Sequence, residues 1–159
     1  MKKAAIIALF LILAGVAWWG WHRPKNPRFA NVAEYETDMT EALLRGILQE
    51  QDAGRPPIYF VAFGETLAAP GPDFIARFAD HEPPVRSLIS STIPANRMII
   101  ETSTGRVGLI VQIINLKEFI PGTFDVCVRF SNLPSGRDRF TYRISNIAGE
   151  WKIESRKPA

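Results

Sequence analysis

The chain has 159 residues, 47% of them hydrophobic and 11% aromatic, which is enough for one ordinary core and excludes wholesale disorder. Its net charge of +3 is unevenly placed: residues 1–28 hold Lys2, Lys3, Arg23, Lys25 and Arg28 with no acid, so the remainder carries 14 basic against 16 acidic side chains, a balance of −2. A nucleic-acid binder keeps its cationic excess on the folded domain, so no nucleic-acid partner is expected. Cys127 stands alone, which excludes an intramolecular disulfide and a multi-thiolate zinc site.

Lys2 and Lys3 precede an uncharged run from Ala4 to Trp21. Its 18 residues would make a helix of about 27 Å, close to a hydrocarbon core of about 30 Å. Two readings follow. Gly15-Val16-Ala17 offers the small residues of a signal-peptide cleavage site. Trp18, Trp19 and Trp21, with Arg23, Lys25 and Arg28 directly after, look instead like an interfacial aromatic belt and its cationic flank. The expectation is an uncleaved single-pass anchor at 1–22, a linker at 23–30 with two prolines, and a domain at 31–156 outside the cytoplasm, held at the inner membrane of a cell envelope.

Asn31 and Glu34 have capping-box spacing, and Tyr35, Met39, Leu43 and Ile47 recur every fourth residue. That pattern predicts an amphipathic helix of about five turns, ended by Gly54 and Pro56-Pro57. Residues 58–63 (IYFVAF) form an apolar run that reads as a buried strand, and 71–78 (GPDFIARF) predicts a short helix with Pro72 in its first turn. Strands are then expected at 85–91, 97–102, 107–116, 123–131, 138–146 and 150–155, with turn signals short enough to make neighbours antiparallel. Phe124, Val126, Val128 and Phe130 alternate with Asp125, Cys127 and Arg129; Phe140, Tyr142 and Ile144 alternate with Arg139, Thr141 and Arg143. Trp151 and Ile153 do the same against Lys152 and Glu154, so Trp151 is expected to be buried. The fold class that follows is α+β: one long amphipathic helix packed on a curved antiparallel β-meander, preceded by the N-terminal transmembrane helix.

That element order over residues 31–156 resembles the nuclear-transport-factor-2-like and cystatin-like α+β domains, which implies a curved sheet wrapped around a helix. Inner-membrane scaffold subunits of type IV secretion systems join one membrane helix to such a domain. The chain is also similar to uncharacterised small bacterial membrane-anchored proteins through Phe63-Gly64-Glu65, Pro72-Asp73-Phe74 followed by Phe78, and Gly149-Glu150-Trp151-Lys152. That second likeness implies no chemistry.

His81 sits between Asp80 and Glu82, but adjacent loop residues rarely converge on one ion, and no metal site or cofactor is expected. Cys127 has Arg129 beside it on the same strand face and no identifiable base. Glu101 and Asp125 are a carboxylate pair of the kind that any domain of this size offers. Two surfaces carry more. Arg129, Arg139, Arg143 and Lys152 share the polar face of the last strands and are candidates for anionic contact. The strand at 107–116 is apolar on both faces and must be covered twice. The cover is the chain's own 58–63 segment or short helix, or else a protein partner or a second copy, with Ile110, Ile114 and Leu116 as the candidate partner-binding residues. The functional expectation is a non-enzymatic interaction or scaffold module. The alternative is a small-molecule-binding or enzymatic cone with its pocket between helix and sheet.

Overall fold

A computed structural model describes residues 32–50, 56–94, 98–131 and 137–159. The expected anchor, the linker and the Asn31 cap lie outside the described residues. Among the described residues, no helix is long and apolar enough to cross a membrane.

The described chain starts with a 3-10 turn, Val32–Glu34. Tyr35 then turns towards the sheet, where its ring stacks on Phe63 at 5.2 Å and its hydroxyl donates to the Ile114 carbonyl at 3.1 Å. The helix α1 begins only at Asp38 and runs to Glu50. Its cap is Thr37, whose Oγ1 accepts the Thr40 N–H at 3.3 Å and so satisfies one of the helix's unpaired donors. Met39, Leu43, Leu44, Ile47 and Leu48 make the buried stripe that the fourfold spacing predicts.

After α1 come β1 (Tyr59–Phe63), α2 (Pro72–Ala76), β2 (Val85–Ser87), β3 (Ser91–Thr92) and β4 (Ile100–Glu101). Four long strands follow: β5 (Leu109–Ile120), β6 (Thr123–Ser131), β7 (Arg137–Ile147) and β8 (Glu150–Pro158). The main sheet has the order β2-β1-β5-β6-β7-β8, and β3 and β4 pair as a separate two-stranded ribbon. β1 is parallel to both β2 and β5, whereas β5 to β8 form an antiparallel meander.

This corrects the expected fold class. The described residues are mostly β, the sheet is mixed, and the long helix is absent: α1 has 13 residues, about 20 Å. Two physical reasons account for the difference. Thr37 offers the backbone a local side-chain acceptor and Tyr35 is drawn onto Phe63, so the helical periodicity that starts near residue 32 is interrupted before it becomes a helix. The β1 run is apolar throughout because it lies in the sheet interior with a parallel neighbour on each side, the usual setting for strands without alternation. The stretch between β1 and β2, with α2 in it, is long enough for a parallel crossover.

The two faces of the sheet are covered unequally. On the inner face, α1 and α2 close the main core of Leu43, Leu44, Ile47, Val61, Phe63, Val111, Val126, Val128, Tyr142 and Ile144. Arg77 ties the two helices together through Asp38 at 2.9 Å and Glu41 at 3.3 Å. On the outer face, among the described residues, Ile99 and Leu88 cover the β1–β5 region by packing against Ile58, Phe60, Ala62 and Ile110. Gly108 lies against this second cluster, and a Cβ there would collide with the Phe60 ring.

Candidate functional site

The sheet and α1 do not close completely. Where the first turn of α1 passes over β5, β6 and β8, an open groove of about 450 Å³ remains, lined by Glu34, Thr37, Asp38, Met39, Leu116, Phe124 and Trp151. Phe124 and Trp151 form its floor, edge to face at 5.9 Å: Phe124 aligns through Ile144 with Ile153, and Trp151 lies two residues from Ile153 on the same face. Leu116 joins them because β5 carries a bulge between Ile113 and Asn115, which shifts the alternation by one residue. The rim is acidic: Asp38 is exposed apart from its ion pair with Arg77. A second hollow continues along α1 past Trp151 to Gly46 and Ile153, so Trp151 is shared by both. Trp151 is therefore half-buried, which corrects its expected place inside the core.

The bulge also separates the three candidate partner-binding residues. Ile110 is 3% exposed, inside the second cluster. Ile114 is 5% exposed at the bulge, its carbonyl taken by Tyr35. Leu116 faces inward to the groove. The three do not share an exposed face, and the outer cover comes from Ile99 and Leu88, which the sequence pattern did not single out.

The four candidate anionic contacts do lie on the outer face, each beside an acid. Arg143 makes two hydrogen bonds to the Asp125 carboxylate, at 2.8 and 2.9 Å, directly across the β6–β7 pair. This donation holds the Asp125 carboxyl below the usual carboxylate range. Arg129 donates to Gln112 at 3.1 Å and to Glu65 at 3.4 Å, Arg139 lies 3.9 Å from Glu65, and Lys152 lies 3.1 Å from Glu150. Pairing of this kind reduces the attraction for an external anion.

Cys127 is half-buried on the same face, and burial pushes its thiol up despite Arg139 and Arg129 nearby. His81 accepts no convergent neighbours: its Nδ1 meets the Pro83 carbonyl at 2.8 Å and its ring stands edge-on to Tyr59, while Asp80 pairs with Arg45. Glu101 is buried against Thr104 and Arg86 in the small ribbon, away from Asp125 in the main sheet. Among the described residues no three His, Cys, Asp or Glu side chains are grouped to hold a metal ion.

The groove residues were legible as strand and helix positions but not as a site. Met39, Phe124 and Trp151 sit on apolar faces indistinguishable from core. No family model, curated protein or solved structure matches the chain, so no resemblance to the nuclear-transport-factor-2-like domains or any other family is shown.

Proposed function

We propose that the chain is a membrane-held binding module whose groove between α1 and the sheet receives a segment of a protein partner. The observation that carries this reading is the composition of the groove: two aromatic rings and Leu116 left half-open beside a buried Met39, beneath an acidic rim. Half-exposed aromatic clusters are what interface hot spots are built from. The rim of Glu34 and Asp38 favours a segment that places a lysine or arginine beside an apolar or aromatic anchor. The membrane attachment rests on the Ala4–Trp21 run.

A photoreactive side chain placed at Trp151, with the intact chain in its own membranes, tests the reading. The expected result is one defined protein adduct that disappears when Asp38→Lys reverses the rim, and that is not formed from the outer-face position Lys157. Adducts no different from those at Lys157 would sink the proposal. The groove volume, about 450 Å³, also lies within the range of roughly 300–1,000 Å³ typical of small-molecule pockets. That favours an apolar small ligand as the second reading, and a low-mass adduct at Trp151 would select it.

A further inference from the structure

Three large apolar side chains stay exposed at one end of the outer sheet face: Phe119 is 58% exposed, Ile120 55% and Ile147 48%. Their grouping follows from the register. Ile120 pairs with Thr123, Thr123 with Ser145 and Ser145 with Lys152, which makes one row across four strands. Ile147 lies two residues beyond Ser145 and so on the same face. The Asn146 N–H donates to the Gly122 carbonyl at 2.8 Å, which holds the two hairpin turns side by side. A register shift between Glu118 and Ile120 brings Phe119 to this face as well, where the Arg143 guanidinium lies 4.3 Å over its ring. Lys117 flanks the patch from the neighbouring row, and Lys152, paired with Glu150 at 3.1 Å, ends the row itself.

The way the chain enters the domain indicates what this end meets. The first turn of α1 lies against Leu116, Phe124 and Trp151, directly below the two turns, so the chain preceding Val32 joins the domain in the same half as the patch. Residues 22–31 span at most about 36 Å even fully extended, and lead back to the uncharged run Ala4–Trp21. An apolar tip tethered this close to a bilayer, with Lys117 beside it, has the composition of an interfacial contact.

We infer that Phe119, Ile120 and Ile147 rest in the surface of the bilayer that holds Ala4–Trp21, with Lys117 meeting lipid phosphates. This rests on the membrane-held reading above. It fixes the orientation of the domain: the two hairpin turns face the lipid, and the opposite end of the sheet faces away.

The test uses the full chain carrying Cys127→Ser, reconstituted in phosphatidylcholine vesicles with and without phosphatidylglycerol. A spin label goes at Ile120→Cys, at Ile147→Cys, or at Asp138→Cys on the far end of the sheet. The labels at 120 and 147 should collide more with dissolved oxygen than with a water-soluble nickel chelate, more so with phosphatidylglycerol, while the label at 138 shows the reverse. If the protein stays with the vesicles through a carbonate wash but all three labels behave as aqueous, the inference fails and the anchor survives. Loss of the protein in that wash overturns both. Labels at 120 and 147 shielded from both reagents would mean that a protein covers the tip, and would overturn the lipid contact.

Discussion

Tyr142 is among the largest side chains of the inner core. It is fully buried, and its hydroxyl has no hydrogen-bond partner among the described residues. Burial pushes its pKa from 10.0 up to about 12, with Arg156 acting in the opposite direction and Glu50 adding to the rise. A raised folded-state value means that the folded protein keeps this proton after the unfolded chain has lost it. Stability is therefore intact below pH 10 and falls as pH rises towards about 12, by about 2–3 kcal/mol in total. Tyr142→Phe should remove that part of the alkaline loss, and be neutral or stabilising at pH 7 because an unmet buried hydroxyl is unfavourable. Chemical denaturation of both proteins across this pH range checks it. The thiol of Cys127 gives a second residue-level expectation. Because burial raises its pKa, alkylation of the folded protein should be slower at pH 7 than that of a free cysteine, and should speed up as pH rises. A rate equal to free cysteine would mean that the face around it is open.

At the scale of elements, two glycines separate a tight contact from a tolerant one. A Cβ on Gly108 would collide with the Phe60 ring and lie 2.9 Å from the Ile58 carbonyl oxygen, both fixed in a packed layer. Gly108→Ala should destabilise by about 1–3 kcal/mol. A Cβ on Gly46 would meet the tip of Ile153, which has room to rotate towards the open hollow, and the helix gains from losing a glycine. Gly46→Ala should stay within about 1 kcal/mol of the parent. Equal denaturation midpoints for the two variants would contradict this account of the helix–sheet spacing. β6 was readable almost residue for residue, because strict alternation and flanking turns leave one register. β5 was not: it runs on to Ile120 past the expected end at 116, and its two register shifts flip which side chains face the helix. A bulge is set by how two strands fit, and nothing in the run LIVQIINLKEFI marks it. The groove and the outer tip both depend on those shifts, so neither was visible in the sequence.

For the whole molecule, the pairing pattern sets a gradient of local stability. β5, β6 and β7 have a partner on each side, whereas β2 is a three-residue edge and β8 is an edge with a shift opposite Arg143 and Ile144. Amide exchange should be slowest in β6 and the central part of β5 and fastest in β2, with β8 between them; protection of β2 equal to that of β6 would show that something covers that edge. The meander was legible because each of its strands contacts the next in sequence. The parallel insertion of β1 was not, since its partners are chosen by tertiary fit and not by adjacency. That insertion has a consequence during synthesis. β1 emerges well before β5, which begins at Leu109, and until then YFVAF has at most the three-residue β2 beside it and lacks its longer neighbour. A short, uncharged, β-prone stretch without proline, kept waiting in an unfinished nascent chain, is the kind of segment that sticks to other chains or to a chaperone. The stretch should be the first place where a slowed ribosome, or a truncation before Leu109, turns this protein from a folding chain into an aggregating one.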